Sequence, residues 1–63
     1  MFDLGDMVTV KPSGRAGVVI EFLREGDVHP LRGSRVDTSY SFVLYDSLGT
    51  GEWLNDDVLE VRV

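Results

Sequence analysis

The chain has 63 residues, 43% of them hydrophobic and 10% aromatic, and carries no cysteine. That length admits one domain, expected to occupy residues 1–63, with a small core that removes only about 60% of the unfolded surface from water. Without thiols there is no disulfide framework and no thiolate metal site. Eleven acids against six bases give a net charge of −5, a field that repels phosphate backbones and anionic lipid, so non-specific nucleic-acid binding and membrane association are not expected.

The chain opens Met1-Phe2-Asp3-Leu4-Gly5-Asp6, acidic where a secretory leader would be basic. No apolar run approaches the ~20 residues of a membrane span. A soluble, cytoplasmic protein is the expectation.

The first strand is signalled by Met7-Val8-Thr9-Val10-Lys11, in which Val8 and Val10 alternate with polar residues, the period of a half-buried strand. Pro12-Ser13-Gly14 ends it, combining a preset φ with a residue tolerant of positive φ. The chain then reverses into a second strand, Gly17 to Leu23, and the two form a hairpin. Alternation there puts Val18, Ile20 and Phe22 on one face, Val19 and Glu21 on the other, with Ile20 expected in the core. Gly17 at the strand's start permits a bulge or a close backbone approach.

From Arg24 to Ser39 periodicity is lost, and Gly26, Pro30 and Gly33 are scattered among charges, so the segment reads as a long loop rather than a helix. Loops of this length in small domains are uncommon and usually functional, which makes this one the first candidate for a binding role. Tyr40-Ser41-Phe42-Val43-Leu44-Tyr45 reads as a third strand, apolar on both faces and therefore central. A turn over Asp46–Gly51 leads into a short fourth strand holding Glu52, Trp53 and Leu54. Asn55-Asp56-Asp57 supplies side-chain oxygens to cap a single helical turn. The last strand, Leu59 to Val63, is expected to turn Leu59, Val61 and Val63 inward and Glu60 and Arg62 outward. These elements define an all-β chain.

Five short strands, a long loop between strands two and three, and a helical turn before the last strand resemble the SH3-like barrel superfamily across almost the whole sequence. Gly5-Asp6-Met7-Val8-Thr9-Val10, Gly14 and Gly17-Val18-Val19 look like the KOW motif, where the glycine matching Gly17 lies between the first two strands. The segment Gly51 to Val61 is similar to the strand, helical turn and strand that seal such barrels. The resemblance implies a five-stranded barrel that binds a partner. KOW domains bind RNA or protein through exposed basic residues, and the matching hairpin offers only Lys11 and Arg15. A protein partner is therefore the expectation, with RNA or single-stranded nucleic acid as the alternative.

No catalytic constellation stands out, and a non-enzymatic module without cofactor or metal is expected. His29 has no cysteine to share a metal with, and beside Pro30 it reads as polar loop surface. Asp56, Asp57 and Glu60 lack the alternate spacing and turn glycine of a calcium loop. Ser13-Gly14-Arg15-Ala16-Gly17 has no Gly-Lys-Ser/Thr ending and no following helix to cradle phosphate. Binding residues are easier to nominate.

Trp53 is either a rigid contact platform or the main core plug. Tyr40 and Tyr45 are an odd number apart, so they face opposite sides of a strand and one of them stays outside the core. Arg32 and Arg35, near His29, are close enough in sequence to engage a carboxylate or phosphate as a pair. Charge is also divided along the chain. Arg24, His29, Arg32 and Arg35 fall in the central loop, whereas Asp46 to Glu60 holds five acids and no base. Such a division suits a protein partner with complementary patches.

Overall fold

A computed structural model describes residues 2–62. Five antiparallel strands make one sheet: β1 (Met7–Val10), β2 (Ala16–Leu23), β3 (Tyr40–Tyr45), β4 (Gly51–Asn55) and β5 (Leu59–Val61), in the order β4-β3-β2-β1-β5. Among the described residues the only helical segment is a 3₁₀ turn, Asp56–Val58, just before β5. Asn55 caps it as expected, its Oδ1 accepting the Asp57 N–H at 2.9 Å.

The β1–β2 hairpin forms because Pro12-Ser13-Gly14 reverses the chain tightly. Gly14 adopts φ 75°, and its N–H reaches the Val10 carbonyl at 2.7 Å. Gly17 is required for a different reason. A Cβ there would lie 2.5 Å from Val43 Cγ1 and 2.6 Å from the Leu44 carbonyl oxygen, so the glycine permits close approach of β2 to β3.

The core gathers on one face of the sheet. Val8 and Val10 of β1, Val19 of β2, Val43 and Tyr45 of β3 and Leu59 of β5 are buried there, together with Phe2 from the N-terminal segment. Two bonds tie that segment down: Gly5 N–H to the Val19 carbonyl at 2.7 Å, and Val19 N–H to the Asp6 carbonyl at 2.9 Å. Leu54 and Val58 pack against the cluster from β4 and the 3₁₀ turn. The sheet itself does not close, since β4 and β5 are its two edges and do not pair with each other. Side chains such as Leu54 and Val58, rather than a fifth ladder, cover this part of the core.

Two inward assignments are corrected. Ile20 is 43% exposed, while Val19 is fully buried. The register explains the change: Val19 pairs with Val43 and Glu21 with Phe42, leaving Ile20 as the extra residue of a β-bulge, released from the regular alternation. Val61 is 59% exposed. It pairs with Val8 at the end of a three-residue edge strand that has β1 on one side only. Val63, also expected inward, lies outside the described residues.

Candidate interaction surface

Register divides β3 between the two faces. Ser41, Val43 and Tyr45 are buried on the core side, and Tyr40, Phe42 and Leu44 are half-buried on the other. On this outer face Phe42 sits directly opposite Trp53 of β4 and opposite Glu21 of β2, while Leu44 is opposite Val18. The Phe42 and Trp53 rings meet edge to face, with centroids 5.3 Å apart at 77°. Trp53 is thus not the core plug but half of an outer-face aromatic pair, a contact worth about 0.5–1.5 kcal/mol beyond its area.

The segment between β2 and β3 is ordered by its own backbone. Gly26 N–H bonds to the Val36 carbonyl, Val36 N–H to the Asp27 carbonyl and His29 N–H to the Ser34 carbonyl, at 2.8–2.9 Å, and Val28 bridges Arg35 in antiparallel fashion. The expected loop is therefore a miniature hairpin. Arg24 N–H to Asp27 Oδ2 at 2.8 Å and Asp27 N–H to the Arg24 carbonyl at 2.9 Å turn the chain into its first arm. Gly33, at φ 71°, turns its tip, where the Gly33 N–H reaches the His29 carbonyl at 2.8 Å.

His29 is only 3% exposed, which overturns its reading as polar surface. Its ring meets Tyr40 edge to face at 5.9 Å and lies tilted against Trp53 at 5.7 Å. Nδ1 accepts the Leu31 N–H at 3.1 Å. A backbone N–H can only donate, so it assigns Nδ1 as the acceptor nitrogen. The imidazole is a clamp: one side fastens to the sheet and the other holds the tip.

That clamp holds the backbone of Leu31, whose side chain, 82% exposed, is the most exposed large hydrophobic one among the described residues. Val28, opposite Arg35 in the same hairpin, is 50% exposed. Residues 28–36 contain Arg32 and Arg35 and no acid. The Arg32 guanidinium lies over the Tyr40 ring at 5.9 Å, and Arg35 donates to the Gly26 carbonyl at 2.6 Å, so the two arginines have different neighbours. An aliphatic knob with adjacent positive charge thus crowns a rigid hairpin.

Of the residues nominated from sequence, His29, Arg32, Tyr40 and Trp53 come together in this one cluster, and Arg35 braces the hairpin beneath it. Tyr45 does not join them. It is buried on the core face with the Arg15 guanidinium 5.6 Å from its ring. Burial pushes its phenol up from the ordinary value, and a hydrogen bond to Glu52 and that carboxylate's charge add to the effect, against an opposing contribution from Arg15. Leu31 and Phe42 were not nominated. Phe42 was visible as the alternation partner of Tyr40, whereas no local signal distinguished Leu31 from any other loop aliphatic.

Among the described residues no cavity and no metal-ligand group of three side chains occurs, and no helix is long and apolar enough to cross a membrane. Comparison with family models, curated proteins and solved structures gives no match for this chain.

Proposed function

We propose that the protein is a non-enzymatic protein–protein interaction module with SH3-like barrel architecture. It acts as an accessory subunit or small regulator that docks on a larger protein through the 24–39 hairpin. The strand order β4-β3-β2-β1-β5, the long excursion after β2 and the 3₁₀ turn before β5 support the architecture. The observation that carries the docking role is the presentation of Leu31, 82% exposed on a tip that His29 clamps to the sheet. Ordering this loop before contact lowers the entropic cost of association. An exposed aliphatic anchor beside Arg32 suits an apolar recess on the partner with an acceptor at its rim.

The test is affinity capture from native lysate, with and without nuclease, comparing the wild-type chain with Leu31→Asp and with Arg32→Glu/Arg35→Glu. The expected result is one stoichiometric, nuclease-resistant protein that both variants lose while their circular dichroism is unchanged. Equal recovery by the variants removes the hairpin from the interface. Recovery of nucleic acid, lost steeply with added salt, would instead establish a KOW-like role.

A further inference from the structure

The two edges of the sheet differ. β5 is three residues long, while β4 runs five residues, Gly51–Asn55, without proline, lysine or bulge. Prolines, lysines and bulges commonly protect an edge, and β4 has none of these; its one edge charge is Glu52, opposite Val43, which repels an acidic strand and admits a basic one.

The direction of its free backbone groups follows from the ladder. Tyr45 N–H bonds to the Thr50 carbonyl at 2.8 Å, and Asp56 N–H bonds to the Ser39 carbonyl at 3.1 Å. In the same register, Val43 pairs with Glu52 and Ser41 with Leu54. Hydrogen-bonded pairs alternate along an antiparallel ladder, so Glu52 and Leu54 turn their backbone groups to β3, and Gly51 and Trp53 turn theirs outward. A strand laid there would have its apolar side chains beside Trp53, itself packed on Phe42.

Charge selects the occupant. Thr50 to Glu60 contains Glu52, Asp56, Asp57 and Glu60 and no base. Glu52 and Asp57 are exposed, and Asp56 accepts the Ser41 hydroxyl at 2.7 Å. A second copy pairing edge to edge would bring two of these acidic segments, on two chains of net charge −5, against each other, which their mutual repulsion disfavours.

We infer that β4 is a strand-addition site for an extended protein segment that alternates apolar and basic residues. Backbone bonds to Gly51 and Trp53 supply the docking, the apolar residues extend the Phe42–Trp53 row, and the cations meet Glu52 and Asp57. This edge shares Trp53 with the hairpin through the His29 ring but takes no part of the Leu31 tip, so loss of the Leu31 contact leaves it intact.

The probe is an acetylated, amidated peptide, Thr-Lys-Val-Lys-Val-Lys-Val-Thr, titrated into the intact chain by amide NMR. Saturable shifts at Gly51 and Trp53, with slowed exchange of their amides, are expected, together with at least tenfold weaker binding to Glu52→Lys. A glutamate-for-lysine peptide, or one N-methylated along its pairing edge, should lose the shifts, while Leu31→Asp should bind the probe as wild type does. Shifts scattered away from β4, no shift at millimolar peptide, or equal binding of the N-methylated peptide would overturn the proposal. So would a concentration-dependent dimer with protected Gly51 and Trp53 amides, because the occupant would then be a second copy.

Discussion

The two faces of this sheet are built from different chemistry. The core face is mostly aliphatic, with Val8, Val19 and Val43 fully buried. The outer face carries Tyr40, Phe42, Leu44 and Trp53, all half-buried, with the His29 ring set against two of them. Small branched side chains let the strands of a short chain approach closely around a common centre. Broad rings cover more area without full burial and leave edges for a neighbouring element to grip. One face thus holds the fold together, and the other positions the hairpin.

A charge placed on the core face should have the largest effect. Val19→Asp, or Val10→Asp on β1, is expected to bury an unpaired carboxylate at a cost of about 4 kcal/mol or more, comparable to the whole stability of a small domain. Circular dichroism should show an unfolded chain. A folded variant would mean that the two faces are wrongly divided.

Gly17→Ala tests the close approach itself. The added methyl would meet Val43 and the Leu44 carbonyl, so a loss of roughly 1–3 kcal/mol in urea unfolding is expected. His29→Ala probes the outer face. It removes the clamp, so a loss of about 1–2 kcal/mol is expected, with faster exchange of the Leu31 amide and a shifted Trp53 emission. An unchanged Leu31 amide would separate the hairpin's order from its histidine.

Tyr45 gives a pH signature to the core face. Its folded phenol holds its proton more tightly than the unfolded one, so the unfolded chain ionises first and stability falls as pH rises above about 10, levelling off beyond the folded value. Tyr45→Phe should abolish that component of the alkaline loss in urea titrations. The smallest effect belongs to Ile20→Asp, expected within about 1 kcal/mol of wild type because the bulge leaves this side chain at the surface, 43% exposed. Unfolding of this variant would restore Ile20 to the core.

Strand segments, turns and the capped 3₁₀ turn were legible in the sequence because each rests on local chemistry. Alternation in Val8-Thr9-Val10, the turn residues Pro12-Ser13-Gly14 and the Asn55 cap act over a few residues. The opposite facing of Tyr40 and Tyr45 needed nothing beyond the period of a strand. Most of the nominated cluster could also be named from residue type and loop position, although its geometry could not.

Pairing between distant residues decided the rest. Local alternation favoured Ile20 as much as Val19, and the β-bulge against Phe42 and Val43 settled which was buried. His29 looked like surface because its partners Tyr40 and Trp53 are 11 and 24 residues away, and only the folded sheet brings them together. Phe2 enters the core because Gly5 and Asp6 bond to Val19 on a strand not yet made at that point of the chain. Local pattern chooses which segments become strands, while register between strands chooses which side chains face inward, since a shift of one residue reverses every face.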